Sequence, residues 1–203
     1  MKLFLASNSI YCLENIESLL DKPFSETHVI FVPTASVPSQ DRSYMQADLD
    51  NWHRLWFLVE VVCFDQIGCI DEYILEKLEQ ADIIYFSWWN TFFLLDRIKK
   101  VWFDKIASRL LKDWTILAWS SAWAVIMWPN VYPAHHVDDQ TVVNNTNFSW
   151  LDIIDNFIIP HADLPVLQDK LDLIKKECEI LWIKYTILKE NEYIIIDNFA
   201  KRI

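Results

Sequence analysis

The chain has 203 residues, 53% of them hydrophobic and 23% charged, which excludes a disordered chain and is enough for one domain with a sizeable core. A formal net charge of −11 comes without any basic stripe, so neither nucleic acid nor an anionic membrane is an expected partner. No uninterrupted apolar stretch approaches the ~20 residues needed to span a bilayer, and the opening MKLFLASNSIYC is too short for a secretory signal.

In chain order, KLFLAS (2–7) reads as a first buried strand, followed by a helical stretch around LENIESLLD. HVIFVPTAS (28–36) is a second strand ended by Pro33, residues 43–56 are helix-compatible, and FLVEVVCF (57–64) is a third strand. DEYILEKLEQ (71–80) has Ile74, Leu75 and Leu78 at helical spacing, and ADIIYFS (81–87) is a fourth strand. NTFFLLDRIKK (90–100) and FDKIASRLLK (103–112) predict two helices, with Phe92 to Leu95 as helix core. TILAW (115–119) is a fifth strand and AWAVIM starts a helix. FIIPH (157–161) is a further strand, LPVLQDKLDLIKKECEIL (164–181) a long helix, and IKYTIL and EYIIID a closing pair of strands. Alternating β and α units with continuous apolar strands predict an α/β domain over 1–203, its mainly parallel sheet covered by helices on both faces. The four cysteines, Cys12, Cys63, Cys69 and Cys178, have no ligand spacing and read as reduced core thiols.

Glycine occurs once, at Gly68, where average usage predicts roughly 14, while tryptophan occurs 11 times. Trp56, Trp102, Trp114 and Trp182 fall just past predicted helices, where the backbone turns left-handed and glycine is favoured. Trp88 and Trp89 lie at a strand tip, and Trp119 and Trp123 bracket Ser120 and Ser121. Few of the eleven suit a core aromatic. The pattern predicts that most of these positions are glycine in the native protein. UGA is read as tryptophan under one variant genetic code and as glycine under another, so reading under the wrong code makes this exchange throughout. Eleven restored glycines beside Gly68 would make twelve, near the expected number.

With Trp119→Gly and Trp123→Gly, residues 119–123 become a G-x-S-x-G nucleophile elbow centred on Ser121. The N–H of Ala122 then points into an oxyanion site at a helix N-terminus. A serine among small residues after a strand is also ordinary turn chemistry, and a lone histidine after Pro160 is ordinary surface.

With these exchanges nearly the whole chain resembles the peptidase E family of serine peptidases, aspartyl dipeptidases of the flavodoxin-like, class I glutamine amidotransferase-like fold. FSWWNTFFLLDRIKK is similar to the family's strand–GGNT–helix signature, SSAWAVIM to its S-A-G-A nucleophile motif, and IIPHAD to the segment carrying its histidine. VPTAS matches the end of its second strand. The resemblance implies Ser121 as nucleophile and His161 as general base. It implies Asp139 as the orienting acid, since the 22-residue interval to His161 fits the family, with adjacent Asp138 an open alternative and Asp163 a weaker one. Backbone N–H groups at Trp88, Trp89 and Ala122 become the oxyanion donors, beside Asn90 and Thr91. It further implies a cytoplasmic monomer or homodimer that cleaves small peptides with N-terminal aspartate and needs no cofactor.

No metal is expected. His135 and His136 have no third ligand at a zinc-like sequence spacing. Rival functions are a cyanophycinase-like peptidase, an α/β-hydrolase-type esterase, and a catalytically silent amidotransferase-like binding protein. The last is what tryptophan at 88, 89, 119 and 123 would favour, by plugging the oxyanion site and displacing the serine. Peptide mass spectrometry of the native protein is expected to find glycine at positions 123 and 182; tryptophan there removes the basis for the exchange.

Overall fold

The computed structural model describes residues 1–111, 114–121, 128–145, 147–149 and 153–197. Five strands lie parallel in one sheet: β1 (Lys2–Ala6), β2 (His28–Val32), β3 (Leu58–Val61), β4 (Ile83–Phe86) and β5 (Ile116–Ser120). Their order is β3-β2-β4-β5-β1, closed at one edge by antiparallel β8 (Tyr193–Asp197). Two short strands, β6 (Phe157–Ile159) and β7 (Tyr185–Ile187), pair in parallel as a separate ribbon. This is the expected α/β, flavodoxin-like architecture.

The continuous apolar strands follow from burial on both faces. Leu3, Leu5, Ile30, Val32, Ile84, Phe86 and Leu117 point into one core, with Leu94, Leu95 and Ile98 of α4 (Thr91–Lys100) and Leu171 and Ile174 of α6 (Gln168–Ile180). The alternate residues Phe4, Val29, Phe31, Ile83, Tyr85 and Ile116 point into a second core, against Trp52 of α2 (Ser43–Arg54) and Leu13, Ile16 and Leu19. Side chains alternate across a strand, so a period-two pattern with no polar phase needs a cover on each side. Two further helices, α3 (Glu72–Gln80) and α5 (Phe103–Leu110), complete the first cover. Caps set where helices begin: Asp71 accepts from the Ile74 N–H ahead of α3, and Asn90 from the Phe93 N–H ahead of α4.

Three expectations need correction. The stretch around LENIESLLD is a 3-10 helix over Leu13–Leu19, preceded by one α-turn, α1 (Ser9–Cys12). Asn15 Nδ2 donates to the Cys12 carbonyl and Ser18 Oγ to that of Asn15, local bonds that compete with α-helical pairing. IKYTIL and EYIIID do not pair with each other: β7 joins β6, while β8 covers the edge of β1 that would otherwise stay open. Of the cysteines, Cys12 and Cys178 are buried thiols, but Cys69 is exposed. The helix expected from AWAVIM lies outside the described residues. Among the described residues no helix is long and apolar enough to cross a membrane.

The four tryptophans expected at helix ends adopt left-handed backbone, with φ of 66° at Trp56, 64° at Trp102, 72° at Trp114 and 58° at Trp182. All four rings are exposed, Trp182 at 92%. Rings this exposed, the Trp114 ring beside Lys2 Nζ at 5.9 Å among them, bury too little to offset the clash of Cβ with the neighbouring carbonyl. Trp52 and Trp119 depart from the expectation and are buried aromatics, Trp119 stacked on Phe86 with centroids 5.3 Å apart. Even so, the indole nitrogens of Trp52, Trp88 and Trp119 are buried without a hydrogen-bond partner, a cost that well-matched core tryptophans avoid. Replacing Trp56, Trp102, Trp114 or Trp182 by Gly is expected to stabilise the fold by about 1 kcal/mol each. Urea unfolding of the four variants checks this, and a uniform loss of stability would contradict it.

Candidate active site

The central strand β5 runs between β1 and β4, pairing Ser120 with Ala6 and Trp119 with Phe86. Its carboxyl end therefore opens at the edge where parallel α/β sheets bind ligands. Of the two adjacent serines, Ser120 is used structurally, its Oγ accepting from the Ser9 N–H at 3.0 Å. Ser9 Oγ and the Tyr85 hydroxyl both donate to the fully buried Asp48, whose carboxyl burial pushes up to about 6. The chain then turns left-handed, with φ 67° at Ser121, and presents its hydroxyl to the cleft. A non-glycine residue with this backbone is strained, as a serine on a sharp strand-to-helix turn is. Ser121 Oγ lies 2.5 Å from His161 Nε2.

His161 follows β6 and Pro160, also at positive φ, 60°. Its backbone N–H donates to Ser7 Oγ at 2.9 Å, which fastens the ribbon over the end of β1. The second ring nitrogen, Nδ1, contacts Glu190 Oε1. Glu190 lies in the turn between β7 and β8; its other oxygen accepts from Asn8 Nδ2 at 2.9 Å, and its N–H donates to Asp163 Oδ1 at 2.8 Å. Burial raises the Glu190 carboxyl, but the bonds from His161 and Asn8 outweigh it and hold the group below the usual glutamate range.

Glu190 thus takes the place expected for Asp139. Asp139 is turned away, with Oδ1 accepting from the N–H and hydroxyl of Thr141, while both ring nitrogens of His161 are already engaged. Asp138 is close by without joining the histidine: its Oδ2 accepts from the Thr91 N–H and hydroxyl, at 2.9 and 2.5 Å. Burial pushes the Asp138 carboxyl up to about 6, against the pull of Thr91 and Lys170. Asn90 and Thr91 serve as scaffold here. Asn90 caps α4 and donates to the Asp139 carbonyl, and Thr91 holds Asp138.

A cavity of about 330 Å³ opens beside the pair, with Ser121, His161 and Asp138 among its walls and Phe157, Leu171 and Ile174 supplying apolar surface. Trp88 and Trp89 line it too, the Trp88 ring 5.8 Å from that of His161. The indoles narrow the site, yet Ser121 keeps its bond to His161 and is not displaced. Ala122 and Trp123 lie outside the described residues. His135 and His136 meet Glu177 of α6.

A family model described as peptidase family S51 matches residues 3–198. An uncharacterized peptidase of Listeria monocytogenes is 32% identical over 136 residues, 66% of this chain and 64% of that protein. One of Listeria innocua is 30% identical, over 66% of this chain and 63% of its own length, so the match spans under two thirds of either relative. One of Pasteurella multocida is 26% identical over 179 residues, 85% of this chain and 83% of that protein. Among solved structures, a Listeria monocytogenes protein named as a peptidase E candidate superposes with a TM-score of 0.85 at 27% identity, covering 98% of this chain and 95% of that one. A peptidase from an acI-B1 actinobacterium shares the fold, with a TM-score of 0.64 at 20% identity, covering 96% and 82% of the two chains.

The geometry makes Glu190 the carboxylate partner of His161 Nδ1. In Glu190→Gln the downfield Hδ1 resonance of His161, followed by NMR, is expected to move upfield as the charged acceptor is lost. Asp139→Asn should leave it in place, and the reverse pattern would return the role to Asp139.

Proposed function

We propose, for a chain that belongs to peptidase family S51, that it is a serine exopeptidase releasing N-terminal aspartate from dipeptides and short peptides. One observation carries this reading: the unbroken chain Ser121 Oγ–His161–Glu190 at the carboxyl edge of the sheet. Ser121 attacks the scissile carbonyl while His161 Nε2 takes its proton. Glu190, facing Nδ1, keeps the imidazole in the tautomer with Nε2 free to accept and then stabilises the imidazolium. His161 returns the proton to the departing amine. Water, activated by the same histidine, then cleaves the acyl-enzyme and restores Ser121. No step requires a cofactor. The oxyanion donors in this reading are the backbone N–H groups at positions 88, 89 and 122, and glycine at 88 and 89 would give the carbonyl the room that two indoles occupy.

An exopeptidase must also hold a free α-ammonium. Asp138, the carboxylate in the cavity wall, has the charge for this. Aspartate at the first position needs a cation as well. The cavity walls supply none among the described residues; Lys170 of α6, whose charge reaches Asp138, is the candidate. A second reading of specificity is favoured by the apolar lining from Phe157, Leu171 and Ile174, which suits an aliphatic first residue.

Comparing Asp-Leu and Leu-Leu hydrolysis decides between these. Faster turnover of Asp-Leu, weakened tenfold or more by Lys170→Met, is expected; a preference for Leu-Leu selects the apolar reading. Ser121→Ala should lose at least about 10³-fold in kcat and all labelling by a fluorophosphonate, and equal turnover would end the serine mechanism. Asp138 loses its charge as the pH falls through about 6, so KM is expected to rise below that pH. Asp138→Asn should show the raised KM at all pH values.

A further inference from the structure

We propose that His135, His136 and Glu177 form a binding site for one divalent transition-metal ion, zinc by its ligand chemistry. The ion would join the 3-10 helix Tyr132–His136 to α6. The two histidines are consecutive, and in a 3-10 helix consecutive side chains diverge by about 120°. Here the rings instead lie against each other, with centroids 3.9 Å apart, and each has one nitrogen near the same carboxylate oxygen. Glu177 Oε2 lies 2.9 Å from His136 Nε2 and 3.7 Å from His135 Nδ1. One donor atom from each of the three residues falls within 4.8 Å of the others. Zinc bonds of about 2.0–2.2 Å in a tetrahedron place ligand atoms roughly 3.3–3.5 Å apart, between the two distances found.

The carboxylate is also unsatisfied. Glu177 Oε2 is buried and accepts no hydrogen bond, although His136 is near. An anionic oxygen whose nearest donor, His136 Nε2, is out of hydrogen-bond alignment is poorly compensated, and a cation removes that cost. The three side chains are each about a fifth exposed, at 24%, 21% and 21%, so an ion can reach them and keep water in a fourth position. His135 Nδ1 sits 2.8 Å from the Tyr132 carbonyl, so coordination through Nδ1 would require the ring to turn from that carbonyl and release its Nδ1 proton to solvent.

The site is independent of the serine chemistry but touches the same cleft. Ala134 and Val137 beside the histidines, and Leu171 and Ile174 on the same helix as Glu177, all line the cavity. An ion bridging the 3-10 helix to α6 would therefore fix two cavity walls to each other.

Zinc chloride titrated into the full chain, followed by calorimetry, is expected to show one saturable ion per chain. A hundredfold excess over Kd should raise the unfolding midpoint by about 5–10 °C. His136→Ala and Glu177→Gln should each weaken binding at least tenfold, while Ser121→Ala and Cys69→Ser bind as the parent does. Cobalt(II) provides a second readout on the unaltered protein: visible tetrahedral bands without thiolate charge-transfer absorption. No saturable binding, undiminished binding in both ligand variants, or a thiolate spectrum would each overturn the proposal.

Discussion

The cleft depends on one backbone constraint, the left-handed turn at Ser121 where the buried central strand ends. β5 has neighbours on both edges and cores on both faces, so its last residue cannot shift along the strand without turning the apolar faces over. The turn sends successive hydroxyls in different directions. Ser120 is bonded beneath the sheet edge to Ser9, and Ser121 is left for His161. The buried cluster of Ser9, Asp48 and Tyr85 belongs to the same anchorage, because it holds the partner of Ser120 in place.

The histidine and its carboxylate arrive from outside the main sheet. β6 and β7 form a ribbon of their own, packed on the main core through Phe157, Ile158 and Ile159 and fixed by two polar contacts, the His161 N–H on Ser7 and Asn8 on Glu190. Ser7 and Asn8 directly follow β1, so the pair that ends the first strand holds both His161 and Glu190, and Asn8 also caps α1. This explains why the first strand ends in small polar residues although everything before them is apolar.

The sheet was legible because burial on two faces leaves a long apolar run, and the strands at 2–7, 28–36, 81–87 and 115–119 all correspond to observed ones. Ser121 and His161 were legible through turn chemistry and motif resemblance. Glu190 was not, since it stands in a polar turn between Lys189 and Asn191, where an acidic residue looks like ordinary solvent-facing surface. Its identity depends on which strands the last two segments join, and periodicity carries no information about partners. The same holds for Glu177, which meets His136 from 41 residues away through helix packing. Asp138 and Asp139 were indistinguishable by spacing; the preference of Thr91 for one and Thr141 for the other separates them.

The position of Glu190, just ahead of the strand that closes the sheet, bears on the order in which the protein matures. Synthesis proceeds from the N-terminus and exposes Ser121 and His161 before β8 leaves the ribosome. Until β8 docks along β1, a nascent chain has an open sheet edge and an imidazole with no anion beside it. Docking of β8 along β1 and the meeting of Glu190 with His161 thus belong to one folding event.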